Sequence, residues 1–197
     1  NGFNGVQIKR DAHDNTIGPD NVISGNLNNG IRIESDSFEG GTSANGNIVT
    51  GNYIGTDVDG INPLENQQHG ILIFDNADEN YIGPDNVISG NGADGIHIEN
   101  SGTIGNVIFE NHIGTNSGNS NAIGNSAQGE VLTEGARNNT IGPENVISNN
   151  NGAGIQIQRV SSTGNRVIGN RIGTNVEGTD ALGNTGHGVF IDEAPDN

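Results

Sequence analysis

The side chains of this chain best suited to chemistry are a histidine and a glutamate two positions apart, His97 and Glu99. Alternate residues of a β-strand share one face, so both side chains could serve one ligand through proton transfer or hydrogen bonds. Leu72 and Phe74 have the same spacing on a preceding segment and would offer that ligand an apolar surface. The strand spacing would place Glu34 about 9 to 10 Å from Glu99. A second hypothesis is therefore that these two carboxylates form a pair for hydrolysis. The alternative is an exposed polar strand face with an apolar patch.

These residues belong to a repeat in which Asn and Gly recur four positions apart. The spacing occurs seven times, at Asn1/Gly5, Asn26/Gly30, Asn66/Gly70, Asn91/Gly95, Asn125/Gly129, Asn150/Gly154 and Asn184/Gly188. The intervals between the glycines are 25, 40, 25, 34, 25 and 34 residues, so a short unit alternates with a long one. Such a period indicates a solenoid, whose units bury their apolar residues against one another.

Each unit contains three short segments with apolar residues in alternate positions. The first follows the glycine, as at 30–33, and the other two follow an asparagine, as at 47–49 and 52–54. Period two places the apolar residues inside and their neighbours outside. The sequence therefore predicts an all-β fold, a single parallel β-helix over residues 1–197, with about seven coils, three strands per coil, and short and long coils in alternation.

The recurring asparagines and glycines have predicted structural roles. An Asn side chain tolerates a left-handed corner, and its amide can bond to the equivalent amide of the next coil. We therefore expect Asn ladders along the stack. The glycine before each first strand is expected to supply a positive φ at the tightest corner.

Glu130 interrupts the apolar pattern of the first strands. It follows Gly129 at the position where the other six units have Val or Ile. A carboxylate would then point into the core, and burying it without a partner is expensive. We expect this strand to shift by one residue and turn Val131 inward, or the coil to widen around bound water.

The long units insert loops after their third strand, at 55–66, 114–125 and 173–184. Acidic residues in the first and third loops are candidate Ca²⁺ ligands, because Ca²⁺ prefers oxygen donors. They are Asp57, Asp59, Glu177 and Asp180. The second loop lacks acids and has Asn116, Ser117 and Asn119 instead, so solvated turn residues are the alternative. No cofactor is predicted to be required, and Ca²⁺ is the one considered.

Two further features of the sequence are the insertion near the first strands and the remaining histidines. An insertion at 35–45 contains Phe38, which could cover the apolar patch. The histidines His13, His69, His112 and His187 are scattered along the chain. A metal site needs three or more convergent ligands, so no metal is assigned to them.

Composition limits the partners. The chain has 7 Lys and Arg against 24 Asp and Glu, a formal charge of -17, 33 Gly and no Cys. A nucleic-acid partner would require a basic surface, and the absence of a run of 18 apolar residues argues against membrane insertion. Such a composition fits an extracellular or cell-surface protein. We expect residues 1–197 to be a segment of a longer array that stacks end to end with neighbouring repeats.

The phrases GIxI, NxIGPDNVISGN and GNxxxGNxIGT resemble the right-handed parallel β-helix repeats of the pectate-lyase-like superfold, in the Asn/Gly-rich form of bacterial extracellular proteins. The resemblance covers essentially the whole chain. It implies a right-handed coil, in agreement with the handedness of parallel crossovers. Members of that superfold include pectin lyases, polysaccharide hydrolases, alginate epimerases, phage tailspikes and stalks with no known chemistry.

Two functions are therefore expected. The first is a non-catalytic extracellular segment that acts as a stalk, an adhesive surface or a carbohydrate-binding scaffold. The second is a polysaccharide lyase, epimerase or hydrolase acting over the first strands. In the binding reading Leu72, Phe74, His97 and Glu99 contact the polysaccharide, whereas in the catalytic reading His97, Glu99 and Glu34 are the candidates. A lyase or epimerase also needs a group that neutralises a uronate carboxylate, and the sequence does not assemble that set.

Overall fold

The structure is a computed structural model that describes residues 1–35, 43–116, 118 and 123–197. Within those residues it contains strands and no helix, so no helix there could span a bilayer. Phe38, Ser117 and Asn119 lie outside the described residues. The strands are β1 (Val6–Lys9), β2 (Thr16–Ile17), β3 (Val22–Ile23), β4 (Ile31–Glu34), β5 (Ile48–Val49), β6 (Tyr53–Ile54), β7 (Ile71–Phe74), β8 (Tyr81–Ile82), β9 (Val87–Ile88), β10 (Ile96–Glu99), β11 (Val107–Ile108), β12 (His112–Ile113), β13 (Glu130–Thr133), β14 (Thr140–Ile141), β15 (Val146–Ile147), β16 (Ile155–Gln158), β17 (Arg166–Val167), β18 (Arg171–Ile172) and β19 (Val189–Asp192).

The strands form three parallel sheets, in which each of the first six coils contributes one strand to each sheet and the seventh contributes β19 to the first sheet. The first sheet has the order β1-β4-β7-β10-β13-β16-β19. The second contains β2, β5, β8, β11, β14 and β17, and the third contains β3, β6, β9, β12, β15 and β18. Like residues stand beside like, as Ile31 does beside Ile71 and Ile71 beside Ile96. The predicted β-helix of about seven three-stranded coils is confirmed.

The core consists of columns of isoleucine that run along the stack. Successive side chains of a strand point to opposite faces, so the first and third residues of each long strand enter the core. Only 30% of the residues are hydrophobic, and this is enough because each column is buried by the coils above and below it. The fully buried side chains include Ile31, Ile33, Ile54, Ile71, Ile73, Ile82, Ile88, Ile96, Ile98, Ile108, Ile113 and Leu132.

Asn ladders fix the corners between the sheets, as predicted. Asn86 illustrates the pattern, because its Oδ1 accepts hydrogen bonds from the backbone N–H and the Nδ2 of Asn52 (3.0 and 3.1 Å). Its own Nδ2 donates to Asn111 Oδ1 (2.9 Å) and to the Val49 carbonyl (2.8 Å). The side chain is completely buried. Such a buried and fully hydrogen-bonded amide thus stabilises a corner where this composition supplies little apolar packing.

The glycines that precede the first strands have a different role from the predicted one. Gly30, Gly70 and Gly95 do not have a positive φ, so that prediction is wrong. A Cβ atom on Gly70 would lie 2.6 Å from the Gly95 carbonyl oxygen and 2.7 Å from Ile88 Cγ2. Glycine is required there because the next coil and the core leave no space for a side chain.

Glu130 points into the core without a register shift. It stands beside Ile96 and Ile155 in the ladder, while Val131 stands beside His97 on the outer face. The expected shift is therefore wrong. A one-residue shift would move the whole strand to the opposite face and expose Leu132, which is fully buried. Glu130 is 1% exposed, neither carboxyl oxygen has a hydrogen-bond partner in the protein, and burial raises its pKa to about 8. The carboxyl is thus tolerated in its protonated form.

Candidate functional site

The candidate site is the outer face of the first sheet across β4, β7 and β10. We call it the strand-one face, and its residues are Arg32, Glu34, Leu72, Phe74, His97 and Glu99. Arg32 stands beside Leu72, and Leu72 stands beside His97. Glu34 stands beside Phe74. The side chains selected from the sequence therefore share one face, because the three strands are adjacent and in register.

Arg32 and Phe74 form an aromatic and cationic platform on this face. The guanidinium carbon of Arg32 lies 4.6 Å from the centroid of the Phe74 ring. This is within the range of a cation–π contact. Leu72 is the outward residue between Arg32 and His97, so an apolar side chain adjoins the platform.

Glu34 is held in an ion cluster and is 4% exposed. Its carboxylate accepts hydrogen bonds from Arg32 Nε (2.9 Å) and Gln7 Nε2 (2.6 Å), and Lys9 Nζ lies 3.3 Å away. Burial by itself would raise the pKa of Glu34, but the hydrogen bonds from Arg32 and Gln7 outweigh it and lower the pKa. Glu34 therefore remains ionised at neutral pH and is poorly suited to donate a proton.

A group that the sequence analysis missed lies next to His97. Asp94 Oδ2 is 2.8 Å from His97 Nδ1 and 3.1 Å from His69 Nδ1. The two imidazole rings have centroids 4.5 Å apart. The prediction that the histidines are too scattered to converge is wrong for His69. The contact between His69 and Asp94 could have been predicted from the coil period. The two residues are 25 positions apart, and each precedes the glycine of its coil, Gly70 and Gly95.

The Asp94 carboxylate is nearly buried and fully engaged. Its side chain is 8% exposed, and its Oδ1 accepts a hydrogen bond from the Gln128 N–H (2.9 Å). Burial alone would raise the pKa of Asp94, but the hydrogen bonds with His69 and His97 outweigh it and hold the pKa well below its usual range. On the other side of the His97 ring, Nε2 lies 3.5 Å from Glu99 Oε2. The result is a preorganised row of charged and polar side chains on the outer face.

The loop residues named as calcium candidates have structural partners. Asp57 Oδ1 accepts hydrogen bonds from the N–H groups of Ile61 (2.9 Å) and Asn62 (3.2 Å), and these bonds lower the pKa of Asp57. In the third loop, Asn175 Oδ1 accepts from the N–H groups of Thr179 (2.9 Å) and Asp180 (3.2 Å) in the same way. Thus Asp57 and Asn175 close equivalent turns. Calcium binding by Asp57, Asp59, Glu177 and Asp180 stays a prediction.

Replacement of Asp57 by Asn is expected to keep the loop folded and to reduce any calcium-dependent stabilisation. Asn175 shows that an amide oxygen can close this turn, whereas Ca²⁺ binding depends on carboxylate charge. Thermal unfolding during a Ca²⁺ titration checks the prediction, with Asp57→Ala as the variant that loses the turn. The absence of a saturable shift in the unmodified protein would count against calcium at this loop.

The three parallel sheets and the Asn ladders define a parallel β-helix, and its likeness in fold to solved structures makes it a right-handed β-helix of the pectate-lyase-like fold. The chain is similar in structure to the periplasmic alginate epimerase AlgG, with a TM-score of 0.67 and 16% identity over 97% of this chain and 47% of that one. A single-substitution mutant of the same epimerase gives a TM-score of 0.67 and 20% identity, over 87% of this chain and 33% of that one. This chain thus spans less than half of those chains, and the likeness shows the fold alone. No protein-family model and no curated protein matches the sequence.

Proposed function

We propose that this chain is a non-catalytic β-helix scaffold that binds polysaccharide on the strand-one face and works outside the cell or at its surface. The observation that carries the proposal is the Arg32 guanidinium stacked on Phe74 at 4.6 Å. Binding sites for small polar ligands combine apolar or aromatic surface with a few fixed polar groups. The platform and the neighbouring side chains of His97 and Glu99 have this composition.

The rigidity of the face supports binding. The residues lie on adjacent strands of one sheet, and Asp94 holds the His97 ring at 2.8 Å. Side chains that are fixed before the ligand arrives lose little conformational entropy on binding. A polysaccharide lying along the stack would meet successive coils about 4.8 Å apart, so several sugar units could contact the outward side chains of neighbouring coils.

The pairing of the charged groups supports binding over turnover. Glu34 is ionised and surrounded by Arg32, Gln7 and Lys9, so it is a poor partner for Glu99 in hydrolysis. Arg32 is paired with Glu34, so its charge is already compensated before a uronate carboxylate arrives. Proton abstraction beside such a carboxylate requires charge neutralisation in the transition state.

A second candidate function is that of a lyase or epimerase acting on a uronate polysaccharide. The specific observation in its favour is the Asp94–His97–Glu99 arrangement, in which one carboxylate orients an imidazole and a second lies 3.5 Å from its other nitrogen. An oriented imidazole is a suitable general base. The similar structures belong to an alginate epimerase, which is periplasmic.

Replacement of Phe74 by Ala is expected to weaken polysaccharide binding at least about tenfold, which corresponds to roughly 1.4 kcal/mol. The matched control is Phe190→Ala, because Phe190 is also an outward residue of the first sheet but stacks on His187 (5.1 Å), away from the platform. Calorimetric titration with a panel of acidic and neutral polysaccharides measures the effect. An equal loss of polysaccharide affinity in both variants, or no binding by the unmodified protein, would contradict the proposal.

The same samples separate binding from turnover. The proposal expects the recovered polysaccharides to be unchanged. New unsaturated ends or reducing ends, or an altered uronate composition in the proton NMR spectrum, would support the second candidate. In that case His97→Gln should abolish the new products.

A further inference from the structure

The three donor atoms of the His69, Asp94 and His97 cluster are close enough to share one ion. One ring nitrogen of each histidine and one carboxylate oxygen of Asp94 all lie within 4.8 Å of one another. The Asp94 Oδ2 distances are 3.1 Å to His69 and 2.8 Å to His97. Two ligands of a tetrahedral zinc ion, each about 2.0 to 2.1 Å from the metal, lie roughly 3.3 to 3.4 Å apart. Small side-chain rotations would therefore convert this cluster into a coordination sphere.

Asp94 and His97 each contact a second group on the side that faces away from the proposed ion. Asp94 Oδ1 accepts the Gln128 N–H (2.9 Å), so Oδ2 remains for the ion. His97 Nε2 faces the Glu99 carboxylate at 3.5 Å. If a metal replaces the proton that His97 Nδ1 shares with Asp94, the Glu99 carboxylate would hold the remaining ring proton on Nε2, which is the usual second shell of a ligating histidine.

His69 gives an independent indication. The backbone N–H of Asp94 points at His69 Nδ1 over 3.3 Å, and a nitrogen that accepts a hydrogen bond carries a lone pair. The Asp94 carboxylate oxygen is only 3.1 Å from the same nitrogen. Two electron-rich atoms at this distance repel each other unless a proton or a metal ion lies between them.

We propose that His69, Asp94 and His97 bind one divalent transition-metal ion, with Zn²⁺ as the reference metal and one coordination position open on the strand-one face. Imidazole nitrogens with a carboxylate favour Zn²⁺ and its neighbours in the first row, whereas Ca²⁺ prefers sites made entirely of oxygen. Three protein ligands leave a fourth position for water or an oxygen of a ligand. The ion would join the coil of β7 to the coil of β10. The metal site shares His97 with the strand-one face, but metal binding and polysaccharide binding can be measured apart, so the two proposals can fail separately.

The test is a calorimetric titration of the chelator-treated full chain with Zn²⁺. The expected result is one equivalent of saturable binding in the unmodified protein. Each of the variants His69→Gln, Asp94→Asn and His97→Gln should lower the affinity at least about 100-fold, since even second-shell changes cost 10- to 100-fold. The matched control is His187→Gln, which should bind like the unmodified protein. His187 precedes Gly188 as His69 precedes Gly70, but its ring stacks on Phe190 at 5.1 Å.

Co²⁺ provides a test that needs no variant. Paramagnetic Co²⁺ should shift the ring-proton resonances of His69 and His97 in the unmodified protein and leave those of His13 and His187 in place. The absence of saturable Zn²⁺ binding, or equal loss of binding in His187→Gln, would overturn the proposal, as would Co²⁺ shifts at other histidines alone. Polysaccharide binding is measured separately in the presence of chelator, so its failure leaves the metal result intact.

Discussion

We expect the unmodified protein to lose stability as the pH rises from about 4.5 to 8, and we expect the replacement of Glu130 by Gln to abolish that loss. Glu130 is 1% exposed and without a hydrogen-bond partner, and burial raises its pKa from 4.5 to about 8 in the folded protein. Within that pH window the folded chain keeps the proton while the unfolded chain releases it. The folded state binds more protons, so the free energy of unfolding falls as the pH rises. Below the window both states are protonated, and above it the effect is constant.

The expected size of the effect is large for a single group. At 1.36 kcal/mol per pKa unit, the total loss across the window is on the order of 5 kcal/mol, a sizeable part of the stability of a typical domain. Urea unfolding of both proteins at pH 4.5, 7 and 9 measures it, and the difference between the two curves isolates Glu130 from the rest of the charge. Glu65→Gln is the control, because Glu65 is exposed.

A second variant tests the placement of Glu130 in the apolar column. Glu130→Ile would restore the residue type of its neighbours Ile96 and Ile155 and remove the buried polar group. It should raise the free energy of unfolding at neutral pH by several kcal/mol, on the order of 3 or more. A difference between the unmodified protein and Glu130→Gln that does not vary with pH would contradict the inward, unpaired placement.

The second large effect is expected from the Asn ladder. Replacement of Asn86 by Ala should lower the free energy of unfolding by about 3 to 5 kcal/mol. Asn86 is completely buried and makes hydrogen bonds with Asn52, Asn111 and the Val49 carbonyl. Its removal leaves the Asn52 N–H and the Asn111 Oδ1 without that partner, and a buried group that loses its partner costs about 1 to 3 kcal/mol.

The control for the ladder is Asn151→Ala. Asn151 belongs to the same Asn-rich sequence, but its side chain is exposed, so its loss should change the free energy by less than about 0.5 kcal/mol. Urea unfolding followed by circular dichroism compares the two variants. Similar values for Asn86→Ala and Asn151→Ala would show that the ladder contributes little. Stacked coils can also unfold in steps, so the transitions should be measured with more than one probe.

The strand-one face shows how much of the candidate site could be predicted from the sequence. The period of two correctly placed Leu72, Phe74, His97 and Glu99 on one outer face, since side-chain direction in a strand follows from position alone. It did not indicate that the carboxylate of Glu34 would accept hydrogen bonds from Arg32 and Gln7. That arrangement depends on the rotamers of long side chains from different coils.

For the loop and corner residues as well, the sequence predicted the positions but not the contacts. The recurrence of Asn-x-x-x-Gly correctly located the corners, but the reason for the glycine at position 70 is the approach of Gly95 and Ile88 from other parts of the chain. Likewise, Asp57 was selected as an acidic calcium candidate, which stays a prediction, and only the structure showed that its Oδ1 accepts hydrogen bonds from the N–H groups of Ile61 and Asn62. The residue types indicated what each position could do, and only the folded structure showed which atoms each residue contacts.

The sequence by itself determined the parallel coil, the positions of the strands, the isoleucine columns and the Asn ladders. These follow from a repeated local pattern, because in a solenoid the neighbours of each residue are its equivalents one coil away. The tertiary structure alone decided that Glu130 remains inward and protonated, and that His69 meets Asp94 and His97. Both outcomes depend on the balance between burial, register and distances across coils, and these quantities exist only once the coils are stacked.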